Sequence, residues 1–443
     1  MLKLSKYTKI INNDKDKGLI IFNTYNGNRS RLFDEKFIEL ANKLKKGTIM
    51  NEDEVDPTFA KLYCVDSNEN EIERIIEEYY KVTKDKTTLS LIIYPTMECN
   101  FKCVYCYENS KKTKLSKENY DNLYNSIVRY CIENNTKTVR IDWFGGEPLL
   151  CWKEIVDFSK KLNEFFEANS IVYKYCATTN GYLLTPNIID QIFSVGLTNF
   201  QITVDGDEES HNKLRVLKNG NPTWSKIIEN INYIANNYLD YYILLRVNYN
   251  ISVINRIDSL IEKISATIGN KKNIYLIFKP IGKWGGNNDQ NIDTIPPEFT
   301  GFTRLSLIKK MLSTNFQVSN DINFEFLSEI CYANYENKFT IYSDGSIGKC
   351  TLKDTDNCGS GYVIGDIKKG FFDVDYKTLS AWSALNTQEM GKKGCFDCIC
   401  FPFCLSTCCP LAKIENRGTS RCTESKSILE ELILEEHEQR YKK

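Results

Sequence analysis

The pattern of apolar and polar positions is most regular in the middle of the chain. From about residue 89 to residue 280, short runs of β-branched and aromatic residues alternate with amphipathic segments of helical length. Six of these runs predict strands, namely Leu89–Tyr94, Val139–Phe144, Ile171–Cys176, Phe200–Val204, Tyr242–Val247 and Ile274–Phe278. The segments between them predict helices, for example Lys117–Glu133, Lys153–Ala168 and Thr223–Asn236. This alternation indicates an α/β fold in which a parallel sheet forms a partial (β/α)6 barrel similar to a TIM barrel.

The flanking segments have different patterns and predict separate modules. Residues 1–85 contain a strand-like run at Leu19–Phe22 and helical patterns at Glu35–Lys46 and Asn70–Lys84, which predict a small α+β module. After about residue 310 the pattern breaks into short irregular elements rich in cysteine, which favours a segment held together by metal. We therefore expect three domains, covering residues 1–85, 86–310 and 311–443.

Composition and charge exclude several classes of function. The 443 residues include 57 Lys and Arg against 58 Asp and Glu, a formal net charge of -1, so no basic field exists for binding nucleic acid. No apolar segment approaches the roughly 20 residues that span a bilayer. Lysines near the start of the chain break up any apolar run, so the sequence does not predict the apolar region of a signal peptide there. We expect a cytoplasmic protein that binds neither nucleic acid nor a membrane.

Cysteine usage is the unusual feature of the composition. The chain has 17 cysteines and only 2 histidines, His211 and His437. In a cytosol that keeps thiols reduced, this favours metal or iron–sulfur ligation over a disulfide framework. A centre with mostly thiolate ligands selects zinc or iron–sulfur clusters.

The first cysteine group follows the first predicted strand directly. Cys99, Cys103 and Cys106 have CxxxCxxC spacing and lie where parallel α/β folds place their chemistry. Three thiolates can hold three corners of a cubane cluster and leave one iron open. A zinc site with a distant fourth ligand, or buried thiols, are the alternatives for this group taken alone.

This spacing, with Tyr105 before the last cysteine, resembles the signature of the radical S-adenosylmethionine (SAM) superfamily. The resemblance implies a 4Fe-4S cluster that binds SAM, whose reductive cleavage gives a 5'-deoxyadenosyl radical. After the second predicted strand, Gly145-Gly146-Glu147-Pro148 resembles the family's GGEP motif, whose backbone and acid meet the SAM amino group. The following strand ends resemble further SAM contacts, at Thr178, Asn180, Thr203, Asp205 and Arg246.

One further segment is similar to a loop of this family. It contains His211 and Arg215, and Arg215 is a candidate partner for the SAM carboxylate. The alternatives are a histidine at a helix start in contact with solvent and an ordinary surface ion pair.

Seven later cysteines match the spacing of the SPASM domain, at Cys331, Cys350, Cys395, Cys398, Cys404, Cys408 and Cys422. The resemblance implies two auxiliary 4Fe-4S clusters, the second held by Cys395, Cys398, Cys404 and Cys422 and the first by Cys331, Cys350 and Cys408. A zinc ribbon is the alternative. Because two cubanes need eight ligands, one iron is unassigned. It stays open for a substrate thiolate or is closed by Cys358, Cys400 or Cys409, and we rank Cys358 first because it lies in the loop after Cys350.

The resemblance implies an oxidoreductase that matures a ribosomally made peptide by forming a thioether or related crosslink. Anaerobic sulfatase maturation, which converts cysteine or serine to formylglycine, is one alternative, although Thr351 follows Cys350 where that activity requires an aspartate and only Asp354 and Asp356 are near. Carbon–carbon crosslinking and epimerisation are others. No catalytic side chain is identified.

The implied partners are a precursor peptide or protein and a low-potential electron donor such as flavodoxin or ferredoxin. Residues 1–85 are a candidate leader-binding module, with Leu19–Phe22 in a sheet that offers an exposed edge for strand addition. A cap packed on the barrel is the alternative. The remaining isolated cysteines are expected to be structural thiols, namely Cys64, Cys131, Cys151 and Cys176.

Overall fold

A computed structural model provides the fold. It describes residues 1–13, 18–108, 110–268, 273–284, 288–312, 317–318, 324–352, 362–406, 409–411, 422 and 424–441.

The first part of the chain forms two small antiparallel sheets and three helices. Strand β1 (Leu2–Leu4) pairs with β5 (Cys64–Asp66), while β2 (Thr8–Asn13), β3 (Gly18–Asn23) and β4 (Arg29–Leu32) form a three-stranded sheet in that order. The helices are α1 (Glu35–Lys45), α2 (Pro57–Tyr63) and α3 (Glu71–Thr83). Asp34, Asp56 and Asn70 cap them by accepting hydrogen bonds from backbone N–H groups of the first turn.

The run Leu19–Phe22 forms a strand, as predicted, but it is not itself an edge of its sheet. These residues belong to β3, which is the central strand of its sheet and is buried along its whole length. A continuous apolar run is typical of a strand covered on both faces, and such strands usually lie inside a sheet. The edges of this sheet are β2 and β4.

Six parallel strands form the central sheet in their order along the chain, which confirms the predicted α/β partial barrel. They are β6 (Thr88–Thr96), β7 (Thr138–Gly145), β8 (Val172–Thr179), β9 (Asn199–Thr203), β10 (Tyr242–Tyr249) and β11 (Ile274–Pro280), with the short β12 (Gln317–Val318) beyond β11. The intervening helices are α4 (Lys117–Glu133), α5 (Trp152–Ala168), α6 (Pro186–Phe193), α7 (Glu208–Leu214), α8 (Trp224–Asn237), α9 (Ile251–Ile254), α10 (Ile257–Ile268) and α11 (Pro297–Leu312). The carboxyl ends of the six strands therefore meet along one edge, where their loops can share a site.

The cysteine-rich part of the chain continues the same sheet. Strand β13 (Lys338–Ile341) pairs in parallel with β6, and β14 (Ser346–Gly348), β15 (Val363–Asp366) and β16 (Asp373–Val374) follow in antiparallel order. Helices α12 (Tyr376–Ser383), α13 (Thr387–Lys392) and α14 (Phe401–Cys404) and a last helix, Leu429–Tyr441, come after the strands. Ile341 and Trp382 belong to the same core as Trp143 of β7 and Phe166 of α5.

Among the helices described, none has the length and apolar character needed to cross a bilayer.

Candidate functional site

A cavity lies at the carboxyl ends of the parallel strands and brings most of the predicted site residues together. Its walls include the three cysteines of the first group, the two glycines after β7 and polar side chains from β8, β9 and β10. The predicted residues that line it are Cys99, Cys103, Cys106, Gly145, Gly146, Thr178, Asn180, Thr203 and Arg246.

The cysteine loop is held in place by the segment that follows α7. Lys102 and Val104 donate backbone hydrogen bonds to Val216 (2.8 Å) and Leu214 (3.0 Å), respectively. Within the loop, the N–H of Cys106 donates to the carbonyl of Cys103 at 3.2 Å. These bonds fix the backbone between the first and last cysteine without using the thiols.

Burial shapes the chemistry of the three thiols. Burial raises the pKa of Cys99 and Cys106 to about 12, and it also raises the pKa of Cys103. The positive charge of Arg215 acts in the opposite direction and lowers the pKa of Cys99 and Cys103. Binding to a metal centre deprotonates such thiols. In the described residues no three His, Cys, Asp or Glu side chains converge as the ligands of a single metal ion do. Three cysteines in the wall of one cavity are able to hold three corners of an iron–sulfur cluster.

The two glycines after β7 allow the cysteine loop to approach the sheet. Gly145 has φ +109°, which favours glycine. A Cβ atom on Gly146 would stand 2.4 Å from the carbonyl oxygen of Glu98, immediately before Cys99. The N–H of Gly146 donates to the carbonyl of Thr96 at 3.2 Å. The absence of side chains here therefore sets the position of the cysteine loop.

Glu147 holds two loops together from inside the protein. Its carboxylate is fully buried and accepts hydrogen bonds from the N–H of Leu149 (3.0 Å), the hydroxyl of Thr179 (2.7 Å) and the N–H of Asn180 (2.8 Å). Burial raises the pKa of this carboxyl despite those bonds. The resemblance implied that this acid meets the SAM amino group, but its contacts join the loop after β7 to the loop after β8. Pro148 begins a short 3-10 helix, Pro148–Cys151.

A buried polar network connects Tyr105 to the ends of β9 and β10. The Tyr105 hydroxyl donates to Asp205 and accepts from Arg215 Nη1 (2.7 Å) and Asn248 Nδ2 (3.1 Å). The N–H of Asn248 also donates to Asp205 Oδ1 at 2.9 Å. Asp205 thus lies behind Tyr105 and supports the cavity wall. Arg246 lines the cavity and donates to Asn248 Oδ1 at 2.9 Å.

Arg215 is a buried cation that faces the cavity. It is 8% exposed, lines the cavity and forms an ion pair with Asp205 at 3.7 Å, so the alternative of an ordinary surface ion pair is wrong. Its Nε is buried and has no hydrogen-bond partner within the described part of the chain. A buried guanidinium with an unused donor is suited to binding a carboxylate.

His211 is also buried, with no exposed surface, so the alternative of a solvent-contacting histidine is wrong. Its Nδ1 accepts from the N–H of Asp205 at 3.2 Å. Its Nε2 lies 3.0 Å from the hydroxyl of Thr223, which itself donates to the carbonyl of Arg215 at 2.7 Å. The proton is therefore on Nε2, and burial lowers the pKa so that the ring is neutral. His211 positions both Asp205 and Arg215.

A second cavity gathers the cysteines near the end of the chain. Its walls include the four cysteines predicted as one ligand set, Cys395, Cys398, Cys404 and Cys422. Cys400 and the cation Lys426 line the same cavity. A hydrogen bond between Cys398 and Cys400 lowers the pKa of Cys398 and raises that of Cys400. The structure thus places a fifth cysteine beside this group.

The two remaining predicted ligands in the described region, Cys331 and Cys350, lie on neighbouring loops. The Tyr332 hydroxyl accepts from the N–H of Thr351 (2.8 Å) and bonds its hydroxyl (3.1 Å), which joins the two loops. Cys350 is buried and Cys331 is half-buried. The other residues considered for this site, Cys358, Cys408, Asp354 and Asp356, lie outside the described residues.

The isolated cysteines are separate from these groups. Cys131 and Cys151 are buried, and Cys64 and Cys176 are half-buried. None of the four lines either cysteine-rich cavity.

Gln201 and Trp284 are among the residues of the first cavity that the sequence analysis did not identify. Gln201 lies two positions before Thr203 on β9, so the two-residue period of a strand places both side chains on one face. Trp284 follows the end of β11 and packs against Gly282. Inspection of every strand end, including the sixth, would have found it.

The chain is similar in sequence to known proteins. Residues 93–257 match the family described as the Radical SAM superfamily. The chain is 26% identical to the radical SAM cyclopropyl synthase TigE of Paramaledivibacter caminithermalis over 307 residues, which cover 57% of this chain and 62% of that protein, less than two thirds of its length. It is 24% identical to the cysteine-type anaerobic sulfatase-maturating enzyme of Clostridium novyi over 351 residues, which cover 72% of this chain and 88% of that enzyme.

Two solved structures share the fold. One is anSMEcpe with bound AdoMet and Cp18Cys peptide, with a TM-score of 0.60 and 18% identity over 80% of this chain and 98% of that chain. The other is Streptococcus suis SuiB bound to the precursor peptide SuiA, with a TM-score of 0.51 and 16% identity over 92% of this chain and 95% of that chain.

Proposed function

We propose that this chain is a radical SAM enzyme that crosslinks a ribosomally made peptide, because residues 93–257 match the Radical SAM superfamily. The observation that carries the proposal is a single cavity lined by three half-buried cysteines, by Gly146 and by Arg215. The crosslink expected from the sequence is a thioether or a related bond.

The residues of the cavity fit the cofactors that the family implies. Cys99, Cys103 and Cys106 would hold the 4Fe-4S cluster, and Arg215 would face the carboxylate of SAM. When bound, the cluster and SAM supply a radical that removes a hydrogen atom from an unactivated carbon. Tyr105 and His211 keep Arg215 in place through the hydrogen bonds given above. The two later cysteine groups would hold auxiliary clusters.

Crosslinking requires a second oxidation after the first hydrogen is removed. Each new bond between two atoms of one peptide releases two hydrogens, one taken by the deoxyadenosyl radical and the other lost as a proton and an electron. Auxiliary clusters would accept that electron and pass it to an external acceptor. This requirement supports assigning a redox role to the cysteines after residue 330.

A peptide substrate is supported by the relatives and by the first module. SuiB is bound to a precursor peptide, and anSMEcpe to a peptide. With β3 in the centre of its sheet, β4 offers the edge for strand addition, and its residues Arg29 and Arg31 favour an acidic leader.

The double variant R29E/R31E should weaken binding of the precursor without weakening binding of a leaderless core peptide. Equal affinities of the variant and the parent for the full precursor would remove this role from β4.

Sulfatase maturation is the second candidate, favoured by the match to the Clostridium novyi enzyme over 72% of this chain. The residue after Cys350 is Thr351, whose N–H donates to Tyr332 at 2.8 Å. It carries no carboxylate that could act as a base. This difference places the second candidate behind peptide crosslinking.

The test is anaerobic co-expression with a short cysteine-containing peptide encoded beside this chain, followed by measurement of the peptide's mass and free thiols. A thioether requires the loss of two hydrogens and one alkylatable thiol per bond, and a carbon–carbon bond requires the same mass change with all thiols retained. The triple variant C99A/C103A/C106A should form no 5'-deoxyadenosine, whereas C64A, outside both cavities, should behave as the parent. Formylglycine in a sulfatase fragment, with no change in the peptide, would overturn the proposal.

A further inference from the structure

Two of the predicted ligand sulfurs accept a hydrogen bond from a backbone N–H two residues further along the chain. At the first cysteine group, the N–H of Phe101 donates to Cys99 Sγ at 3.4 Å. In the second cavity, the N–H of Cys400 donates to the sulfur of Cys398. Hydrogen bonds to the ligand sulfurs are one of the features that set the reduction potential of an iron–sulfur cluster. The position of the Cys400 N–H therefore matters to any cluster that binds in the second cavity.

A threonine of the first module holds the other side of this peptide unit. The hydroxyl oxygen of Thr24 lies 2.6 Å from the carbonyl oxygen of Ile399 and 3.2 Å from that of Tyr7, so Ile399 is the nearer acceptor. The peptide bond between Ile399 and Cys400 is trans, and its C=O and N–H point in opposite directions. A bond that fixes the carbonyl of Ile399 on the side of the first module therefore fixes the N–H of Cys400 on the opposite side.

Tyr7 holds the same loop at a second point. It is fully buried, and its hydroxyl donates to the carbonyl of Phe396 at 3.0 Å. Its ring stacks on Phe401, which lines the cavity, with 5.9 Å between the ring centroids. The N–H of Thr24 donates to the Tyr7 carbonyl at 3.0 Å. Because Tyr7 immediately precedes β2 and Thr24 immediately follows β3, the paired strands set the distance between the two hydroxyls.

We propose that Thr24 and Tyr7 are positioning residues of the second auxiliary site. They hold the N–H of Cys400 on the sulfur of Cys398 and so raise the reduction potential of the cluster that binds there. The N–H stabilises the reduced cluster more than the oxidised one because reduction adds negative charge to the sulfurs. The inference rests on the proposed function in assuming that a 4Fe-4S cluster binds the four cysteines predicted for this cavity.

This positioning links the first module to the oxidation step of the proposed reaction. The module contributes to the buried core around Cys400 through Ile20 and Phe22 of β3. The second oxidation needs a cluster that accepts an electron, and a higher reduction potential makes that transfer more favourable. The module would then serve electron transfer in addition to peptide binding.

The test measures the reduction potentials of the auxiliary clusters in the full chain carrying C99A/C103A/C106A. All iron in this protein belongs to auxiliary sites, and a redox titration followed by EPR spectroscopy gives the potential of each. The second cluster is identified as the one whose signal disappears in C395A/C398A. Since none of these proteins can cleave SAM, the potentials are independent of whether the intact enzyme modifies a peptide.

Thr24→Val removes the hydroxyl and keeps the shape of the side chain. At a fixed solution potential it should lower the ratio of reduced to oxidised second cluster about fivefold, the size expected for one hydrogen bond, and leave the other auxiliary cluster unchanged. Thr24→Ser keeps the hydroxyl and should titrate as the parent does. Thr48→Val, at an exposed threonine of the same module, is the matched control and should also titrate as the parent does.

A second cluster with the same potential in Thr24→Val and in the parent would overturn the proposal. If Thr24→Val takes up no iron at this site, Tyr7→Phe decides, because it removes only the hydroxyl that bonds Phe396 and keeps the ring on Phe401. Its second cluster should be harder to reduce than that of the parent, by less than in Thr24→Val. An unchanged potential in Tyr7→Phe would then overturn the proposal.

Discussion

Gly146 shows how one missing side chain determines the geometry of the site. A Cβ atom there would lie 2.4 Å from the Glu98 oxygen and 2.6 Å from the Met97 oxygen, and both neighbours are backbone atoms that cannot rotate away. The backbone of the cysteine loop would have to shift to make room.

We predict that Gly146→Ala displaces this loop, destabilises the protein by about 1–3 kcal/mol and weakens SAM binding at least about tenfold. Urea unfolding under anaerobic conditions and equilibrium dialysis with labelled SAM measure the two effects. Gly391→Ala is the matched control, because its Cβ would meet nothing closer than 3.5 Å and a helical alanine is favourable. Unchanged SAM affinity in Gly146→Ala would contradict the steric argument.

The sequence motifs predicted well which residues meet at the site. They predicted less well which contacts each side chain makes there. The spacing of Cys99, Cys103 and Cys106 placed three thiols on one loop because eight consecutive residues cannot separate far. The direction of the Glu147 carboxylate and the burial of His211 depend on contacts with distant residues such as Asn180 and Thr223. No local pattern encodes such contacts.

At the scale of elements, helix α7 depends on a buried carboxylate at its start. Asp207 caps α7 by accepting from the N–H of Ser210 at 3.1 Å and pairs with Arg256 through bonds of 2.6 and 3.0 Å. Burial by itself would raise the pKa of Asp207, but the bonds from Arg256, Ser210 and Ser259 together hold it well below its usual value. Because α7 carries His211 and leads into Arg215, this contact also supports the cavity.

We predict that Asp207→Asn lowers the melting temperature by about 2–5 °C at neutral pH. Since the folded-state pKa is lowered, this stabilisation is complete above the unfolded-state value of about 4 and is lost only as the pH falls below it. The difference in melting temperature between variant and parent should therefore be constant from about pH 8 to pH 5 and shrink at about pH 4. Asp121→Asn, which removes an exposed pair with Lys161, should leave the melting temperature unchanged. A difference that changes between pH 8 and pH 6 would contradict the assignment to Asp207.

The strands of the barrel could be predicted from the sequence, whereas the pairing of the strands in the first module could not. Apolar runs between helical segments located β6 to β11 because a parallel strand must be followed by a crossover. The run at Leu19–Phe22 correctly indicated a strand, but strand order in an antiparallel sheet depends on which hairpins form on either side. The hairpin partners Thr8–Asn13 and Arg29–Leu32 are mostly polar, so their pairing was not visible in the pattern.

At the scale of the whole molecule, one sheet joins the barrel to the cysteine-rich part. Lys338, Phe339, Thr340 and Ile341 of β13 pair in register with Ser90, Leu91, Ile92 and Ile93 of β6. Without β13, the backbone of β6 would present an open edge beside the loop that carries the first cysteine group. The sequence placed a domain boundary near residue 310, but hydrogen bonds across a sheet between segments so distant in sequence leave no local signal.

We therefore predict that the barrel does not fold as an independent unit. A chain ending at residue 310 loses β13 and the apolar side chains behind it, so we expect it to aggregate or to bind a hydrophobic dye and not SAM, as measured by size-exclusion chromatography and dye fluorescence.

The point variant Phe339→Ala tests the same contact in the full chain. Phe339 is 4% exposed and packs on Phe372, so its loss should cost about 3–5 kcal/mol of unfolding free energy. Ile132→Ala, at a residue that is 67% exposed, should have little effect. A soluble truncated chain that binds SAM with the affinity of the parent would show that the barrel needs no support from β13, and the joined sheet would then be an extension of a complete domain.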